Sequence, residues 1–252
     1  MSKAPAVDYA LDIIELFANS NTGLGITDIS NSLGINKNAV SRVLEALHEK
    51  NWIYMYDTSQ KKYMLTMRPY SVIARYACDH KIAKIACSYL EELNNDLGDS
   101  TYLGIKNGRN VLYLSHFDSK KEVRINGCAG SEYPLNCSAP GKILLSYSDE
   151  EEIRNFFSAP IDKRTENTIV DFDGFMQEAK KIKESGYAID NEEFAKGIYC
   201  IAAPIFDYWG NAVAAIGIST LTIYDNVDSL VNKKFASLKK AANEISRCLG
   251  NK

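Results

Sequence analysis

The sequence predicts an α+β protein in two domains, on three observations. Apolar residues recur at helical steps through residues 26–47 and are interrupted once, at Gly34-Ile35. Directly afterwards two β-rich runs, 52–56 and 63–65, flank a polar, lysine-bearing connection. Beyond Gly98 the period changes from helical to two, and the runs 198–206 and 211–221 are apolar on both faces, as in a sheet covered on both sides.

In the first domain, residues 7–18 set Tyr9, Ile13, Leu16 and Phe17 on one stripe, a helix that packs beneath the pair to follow. Ile26, Ile29 and Leu33 step by three and four, Gly34 takes a positive φ at little cost, and Asn36 is a good N-cap for 37–50. Within that run Val40, Val43, Leu44 and Leu47 share a face, which leaves Lys37, Asn38, Ser41, Arg42 and Glu45 on the other. Short polar and cationic side chains near a helix N-terminus are what base edges and phosphates in a major groove require. A solvated helical hairpin would present a similar face. The hairpin that follows favours a winged helix-turn-helix over residues 1–68, with Gln60, Lys61 and Lys62 at the wing tip against phosphate or the minor groove. Residues 1–68 carry seven basic and seven acidic side chains, so affinity for DNA must come from placement and from several copies.

Residues 69–80 are expected to be a linker helix, with 70–77 helical in character. The second domain, 81–252, opens with a helix over 81–97 whose Ile82, Ile85, Ala86, Tyr89, Leu90 and Leu93 share a side, ended by Gly98. Strands over 100–106 and 111–117 flank Asn107-Gly108, a strong hairpin signal, and a third strand is expected over 122–126. Pro140-Gly141 opens a short helix, and Ser148 is expected to cap another whose acidic first turn, 149–152, suits the helix dipole. Residues 172–185 are amphipathic and lead through Gly186 into a strand at 187–190. The apolar pair 198–206 and 211–221 comes next, and 226–249 is a closing helix. The result is an antiparallel sheet flanked by helices.

Of the 252 residues 46% are hydrophobic and 24% charged, the balance of a globular chain with ample core. No window approaches 18 uninterrupted apolar residues, and MSKAPAVDYA lacks the apolar core of a signal peptide, so a cytoplasmic protein without a membrane partner is expected. A net charge of −3 argues against nonspecific coating of nucleic acid. Six cysteines (Cys78, Cys87, Cys128, Cys137, Cys200, Cys248) contain no C-x-x-C pair. Cys78-x-His80 is the nearest approach to a metal pattern, so reduced, mostly buried thiols and no metal or cofactor are expected.

The winged helix, with CSAPGKILL (137–145), GYAIDNEEFAKGIYCIAAPIFD (186–207) and AAIGIST (214–220), resembles the IclR family of bacterial transcription regulators over nearly the entire chain. The resemblance implies a DNA-binding head on an effector-binding domain of GAF-like fold, acting as a homodimer or homotetramer on a palindromic double-stranded DNA operator. Repression of a catabolic operon under control of a small organic or sugar acid is the common family habit. By motif register the effector pocket falls on Ile125, Ala139, Pro140, Asp190, Cys200, Gly217 and Ser219. Ala139 and Pro140 precede helical N–H groups suited to an anion; Cys200 and Ser219 offer hydrogen bonds, and Asp190 accepts from ligand hydroxyls. Members that bind small keto or carboxylic acids often carry Ser-x-Ser in the last strand. Gly217-x-Ser219 lacks one hydroxyl, which implies a ligand larger or less dependent on carboxylate hydrogen bonds. Against these roles stand a plain core thiol at Cys200, a close-packing glycine at 217 and a solvated run from Asp190.

Cys200 shares a face with Gly217 and Ser219 only if paired residue numbers in the hairpin sum to an odd value. A four-residue loop, 207–210, gives that register, and a five-residue loop turns Cys200 and Ser219 to opposite faces. A different class of function, an enzyme or redox sensor using Cys200, needs a nearby histidine, cation or helix N-terminus to lower the thiol pKa. His116 is the only histidine expected within the sheet, and nothing in the sequence ties it to Cys200.

Overall fold

In the computed structural model, which describes residues 4–72 and 81–251, the chain divides into two units, Met1–Asp79 and His80–Lys252. The first begins with α1 (Pro5–Ala18), α2 (Ile26–Leu33) and α3 (Lys37–Glu49). Ile13, Phe17, Ile29, Val40, Leu44 and Leu47 form its core, the residues that helical spacing selects. Gly34 closes α2 at φ 68°, and the Asn36 side chain accepts from Ala39 N at 2.9 Å to start α3. β1 (Ile53–Asp57) and β2 (Lys62–Leu65) pair antiparallel as a wing. Two backbone bonds between Leu24 and Tyr63, 3.0 and 2.9 Å, anchor it to the α1–α2 connection. Residues 68–72 are helical; the rest of the expected linker helix, with Cys78 and His80, lies outside the described residues.

The second unit runs α4 (Lys81–Leu97), β3 (Ser100–Asn107), β4 (Asn110–Phe117), β5 (Glu132–Pro134), α5 (Ala139–Ser146), α6 (Glu150–Ser158) and α7 (Phe172–Ser185). It continues through β6 (Ala188–Asn191), β7 (Ile198–Phe206), β8 (Ala212–Leu221), the short α8 (Val227–Ser229) and α9 (Phe235–Cys248). The six strands form one antiparallel sheet in the order β5-β4-β3-β8-β7-β6. On one face Leu90, Leu238 and Ile245 of α4 and α9 meet Leu103, Ile201, Ile216 and Ile218. On the other, Ile143 and Leu145 of α5, with Phe175 and Ile182 of α7 behind, meet Tyr102, Cys200, Ala202 and Ala215. Helices on both faces explain the doubly apolar β7 and β8.

Several expectations need correction. Residues 122–126 are not a strand: Val123 N donates to the Tyr224 hydroxyl at 3.1 Å, and Lys121 Nζ reaches Asp99 at 2.5 Å. The edge of β4 is taken instead by β5, where Glu132 accepts from Asn107 and Asn110 side chains at 2.7 and 2.8 Å. Asp149, not Ser148, caps α6, accepting from Glu152 N at 2.7 Å, and Ser148 Oγ accepts from Lys106 Nζ. The closing helix is broken by a π turn at Leu230–Lys234, which ends at buried Lys234, paired with Asp99 and Asp225. Thiols are less buried than expected: Cys137 and Cys200 are inside, whereas Cys87, Cys128 and Cys248 are exposed on helix faces or a connection.

The β7–β8 loop has five residues, since Phe206 pairs with Ala212, yet Cys200 still lies directly opposite Ser219. A bulge between Ile205↔Ala214 and Phe206↔Ala212 leaves Val213 unpaired and restores the odd register. Gly210, at φ 84°, supplies the left-handed residue the loop needs. Among the described residues no helix is long and apolar enough to cross a membrane, and no cluster of His, Cys, Asp or Glu is placed to hold a metal.

Candidate functional site

Two surfaces carry the residues singled out from sequence. On the first unit, Lys37, Asn38 and Arg42 are exposed along α3, and Ser41, half-buried, donates to Glu45 Oε1 at 3.2 Å. At the wing turn Asp57 Oδ1 accepts from Ser59 Oγ, Ser59 N and Gln60 N at 2.7, 2.8 and 3.0 Å. These bonds, the Ser59 hydroxyl foremost, hold the Asp57 carboxyl below the usual carboxylate range. They fix a tight turn on which Gln60 and Lys61 are exposed and Lys62 is half-buried, with Lys61 at φ 49°.

On the second unit, sheet register aligns a polar row across four strands: Asp190 opposite Cys200, Cys200 opposite Ser219, Ser219 opposite Ser100. Cys200 Sγ and Ser219 Oγ are 3.0 Å apart, and Ser100 Oγ accepts from Ser119 N at 3.0 Å. The row floors a partly open cavity of about 40 Å³. Ile125, Ala139, Pro140, Asp190, Cys200 and Ser219 all line it.

Gly217 does not line the cavity; it lies beneath the Tyr102 ring, and a β-carbon there would stand 2.3 Å from Tyr102 Cε2. It is the close-packing glycine weighed from sequence, and Tyr102 occupies the volume above it. Sequence reasoning missed the aromatic wall. Tyr102 stacks on Tyr113 at 4.5 Å, Tyr113 meets Tyr133 at 4.7 Å, and Tyr133 meets Phe194 at 5.1 Å. An aromatic residue cross-strand from a glycine, as Tyr102 is from Gly217, was the available signal.

Charge in the cavity is sparse. Among the described residues no lysine or arginine lines it, and Asp190 is the one carboxyl group in the lining. Burial, reinforced by the Glu193 charge, raises the Asp190 pKa to about 7, although Glu193 N and Phe194 N donate to its Oδ1 at 2.7 and 3.3 Å. His116 also lines the cavity; burial lowers its pKa and Asp118 pulls the other way. Burial pushes the Cys200 thiol far up and the Cys137 thiol to about 12, the opposite of what a nucleophile requires. Beside the cavity, Lys142 of α5, 1% exposed, donates to Glu178 at 2.9 Å and Glu193 at 2.5 Å. It ties α5 to α7 and to the β6–β7 connection that positions Asp190.

Comparison with known proteins places both units. The IclR helix-turn-helix domain profile matches residues 6–55, and the profile described as bacterial transcriptional regulator IclR C-terminal matches residues 74–247. The chain is 29% identical to the HTH-type transcriptional regulator XynR of Escherichia coli K12 over 246 residues, covering 97% of both proteins. It is 27% identical to the HTH-type transcriptional repressor AllR of the same strain over 250 residues, covering 99% of this chain and 92% of AllR. The crystal structure of Thermotoga maritima IclR shares the fold, with a TM-score of 0.81 at 24% identity over 98% of this chain and 99% of that one. With a winged helix-turn-helix followed by a helix-covered antiparallel sheet, and with both family profiles matched, the chain belongs to the IclR family of bacterial transcriptional regulators.

Proposed function

We propose that the protein is a cytoplasmic, ligand-responsive repressor that binds a palindromic operator as a homodimer or homotetramer. In this proposal an effector, an organic or sugar acid, occupies the second-unit cavity. The observation that carries it is the aligned row Asp190–Cys200–Ser219–Ser100, which closes a small cavity beside the N-terminus of α5. A polar row under an aromatic wall is a binding chemistry, and Cys200, held as a protonated thiol by burial, does not supply a nucleophile. AllR, similar over almost the full chain, is named a repressor, which supports the sign of control.

In this mechanism the effector biases the assembly between arrangements that do or do not hold two α3 helices roughly 34 Å apart along one DNA face. It shifts DNA affinity only by its own differential affinity for the two arrangements. Lys37, Asn38, Ser41 and Arg42 enter the major groove, while Gln60, Lys61 and Lys62 contact the backbone or minor groove. Arg42→Ala is expected to cost about 1–3 kcal/mol and relax base preference, whereas Lys61→Ala weakens all sequences alike and lowers the salt slope by about one. Gel shifts across a salt series with DNA from upstream of the protein's own gene measure both; normal binding by both variants would remove this surface. The effector is sought by thermal shift against sugar acids, keto acids and aromatic acids, where a ligand of the native state raises the melting temperature. A hit that also changes retention of the DNA establishes control, and a flat panel sinks the acid assignment.

A further inference from the structure

The side of α3 turned away from its core carries Asn38, Arg42 and Glu45, all exposed. By helical spacing Asn38 and Glu45, seven residues apart, fall almost on one line, opposite the buried Val40, Val43, Leu44 and Leu47. The face is cationic or neutral from Lys37 to Arg42 and turns acidic at Glu45. One turn earlier, the Ser41 hydroxyl donates to Glu45 Oε1 at 3.2 Å, which restrains the long side chain along the helix. Among the described residues no lysine, arginine or histidine forms an ion pair with Glu45. A carboxylate that no cation neutralises, on a face that a polyanion approaches, opposes binding to every sequence unless a base donates to it. Only exocyclic amino groups donate in a major groove. Adenine sets its amino group beside the N7 acceptor, which repels a carboxylate, whereas cytosine N4 has no such neighbour on its own ring.

We propose that Glu45 determines operator sequence: its carboxylate accepts from the N4 amino group of one cytosine in each half-site and disfavours any other base there. The proposal rests on the assignment of α3 to the major groove above. Lys37 and Arg42, on the first two turns, attract the duplex; Glu45, on the next, withdraws that attraction wherever the base it meets has no amino group to offer. The charge balance of the unit fits this division. With seven basic and seven acidic side chains over residues 1–68, little attraction is left for the wrong sequence, so one acid on the reading face widens the gap between right and wrong sites.

The test selects a randomised duplex library with the full-length protein and with its Glu45→Gln and Glu45→Ala variants, and sequences the DNA each retains. Affinity for the preferred duplex, for its single-pair changes and for random-sequence DNA is then measured. Because Glu45 is exposed, both variants are expected to melt within about 2 °C of the wild type. The wild type is expected to select a palindromic motif with one G·C pair per half-site whose replacement by A·T weakens binding about five- to a hundredfold. In Glu45→Ala that pair alone becomes indifferent, to within about threefold, and random-sequence DNA is held more tightly than by the wild type. Glu45→Gln is expected to admit A·T at the same pair, since an amide both donates and accepts. The wild-type motif returned by both variants, with every pair kept within about threefold, would overturn the proposal and leave the DNA reading standing. So would a change confined to an A·T pair, or variants melting several degrees lower, which would make Glu45 a residue of the fold. If the wild type itself enriches no motif, the DNA reading falls and this assignment with it.

Discussion

Lys142→Ala is expected to destabilise the second unit by about 3–5 kcal/mol, the cost of removing one partner from a buried charge cluster. The lysine side chain is almost fully enclosed, and its Nζ sits between Glu178 Oε1 and Glu193 Oε1. Burial alone would lower its pKa; the two glutamates outweigh that and raise it. Without the lysine, Glu193 is left as a buried carboxylate whose Oε2 has no partner among the described residues, and its pKa, raised by burial, climbs further. The loss should appear as a melting temperature lower by about 10 °C and a lower denaturant midpoint. Lys142→Met with Glu193→Met removes both charges and should recover most of the deficit, since Glu178 is partly exposed and can turn to water. A single variant within about 1 kcal/mol of wild type would show that the cluster does not hold α5 in place.

Asp190→Asn is expected to make the protein more stable in alkaline solution, an unusual outcome for a change at a binding cavity. The Asp190 carboxyl has a pKa of about 7 in the fold against 3.8 when free, so the native state holds its proton more tightly than the unfolded chain does. The favourable contribution is fully present below about pH 4 and is lost as the pH rises through about 7. Ionising it at pH 8 therefore costs up to about 4 kcal/mol, a cost that asparagine avoids while still accepting from Glu193 N and Phe194 N. Denaturant unfolding at pH 5 and pH 8 measures the effect: the gain of the variant should be large at pH 8 and shrink towards pH 5. A variant less stable than wild type at pH 8 would show that the carboxylate earns more from its bonds than burial takes away.

The DNA-reading unit was legible from spacing because its contacts are local. Each step from Ile26 to Leu47 is a helical step, Gly34 and Asn36 mark the break, and the wing follows within the next few residues. In the second unit, the motif resemblance located Asp190, Cys200 and Ser219, and the cross-strand ladder aligned them. Tyr102 escaped because its neighbour strand β8 lies more than a hundred residues further on. Alternation along β3 puts Tyr102 on a face with Ser100, yet it does not say which helices cover that face. The strand expected at 122–126 failed for a related reason. Its residues alternate well enough, but β4 offers one free edge, and that edge goes to a three-residue strand that ends on Pro134 and carries little periodic signal of its own. Lys142, within CSAPGKILL, was not singled out from sequence, because its partners Glu178 and Glu193 lie far along the chain and only the fold brings them to it.

The bulge at Val213 separates the geometry of the cavity from the length of the loop beside it. Five residues turn the chain between β7 and β8, and one unpaired residue then absorbs the excess, so every pair from Ile205↔Ala214 to Ile198↔Leu221 keeps its phase. Deleting Val213 would straighten the strand and leave Cys200 facing Ser219. Relatives whose hairpins differ by one residue can therefore present the same row of side chains, and a gap in an alignment at this point carries no information about what the cavity holds. The exposed tip, with Tyr208 and Trp209, is free to vary while the floor of the cavity stays in step.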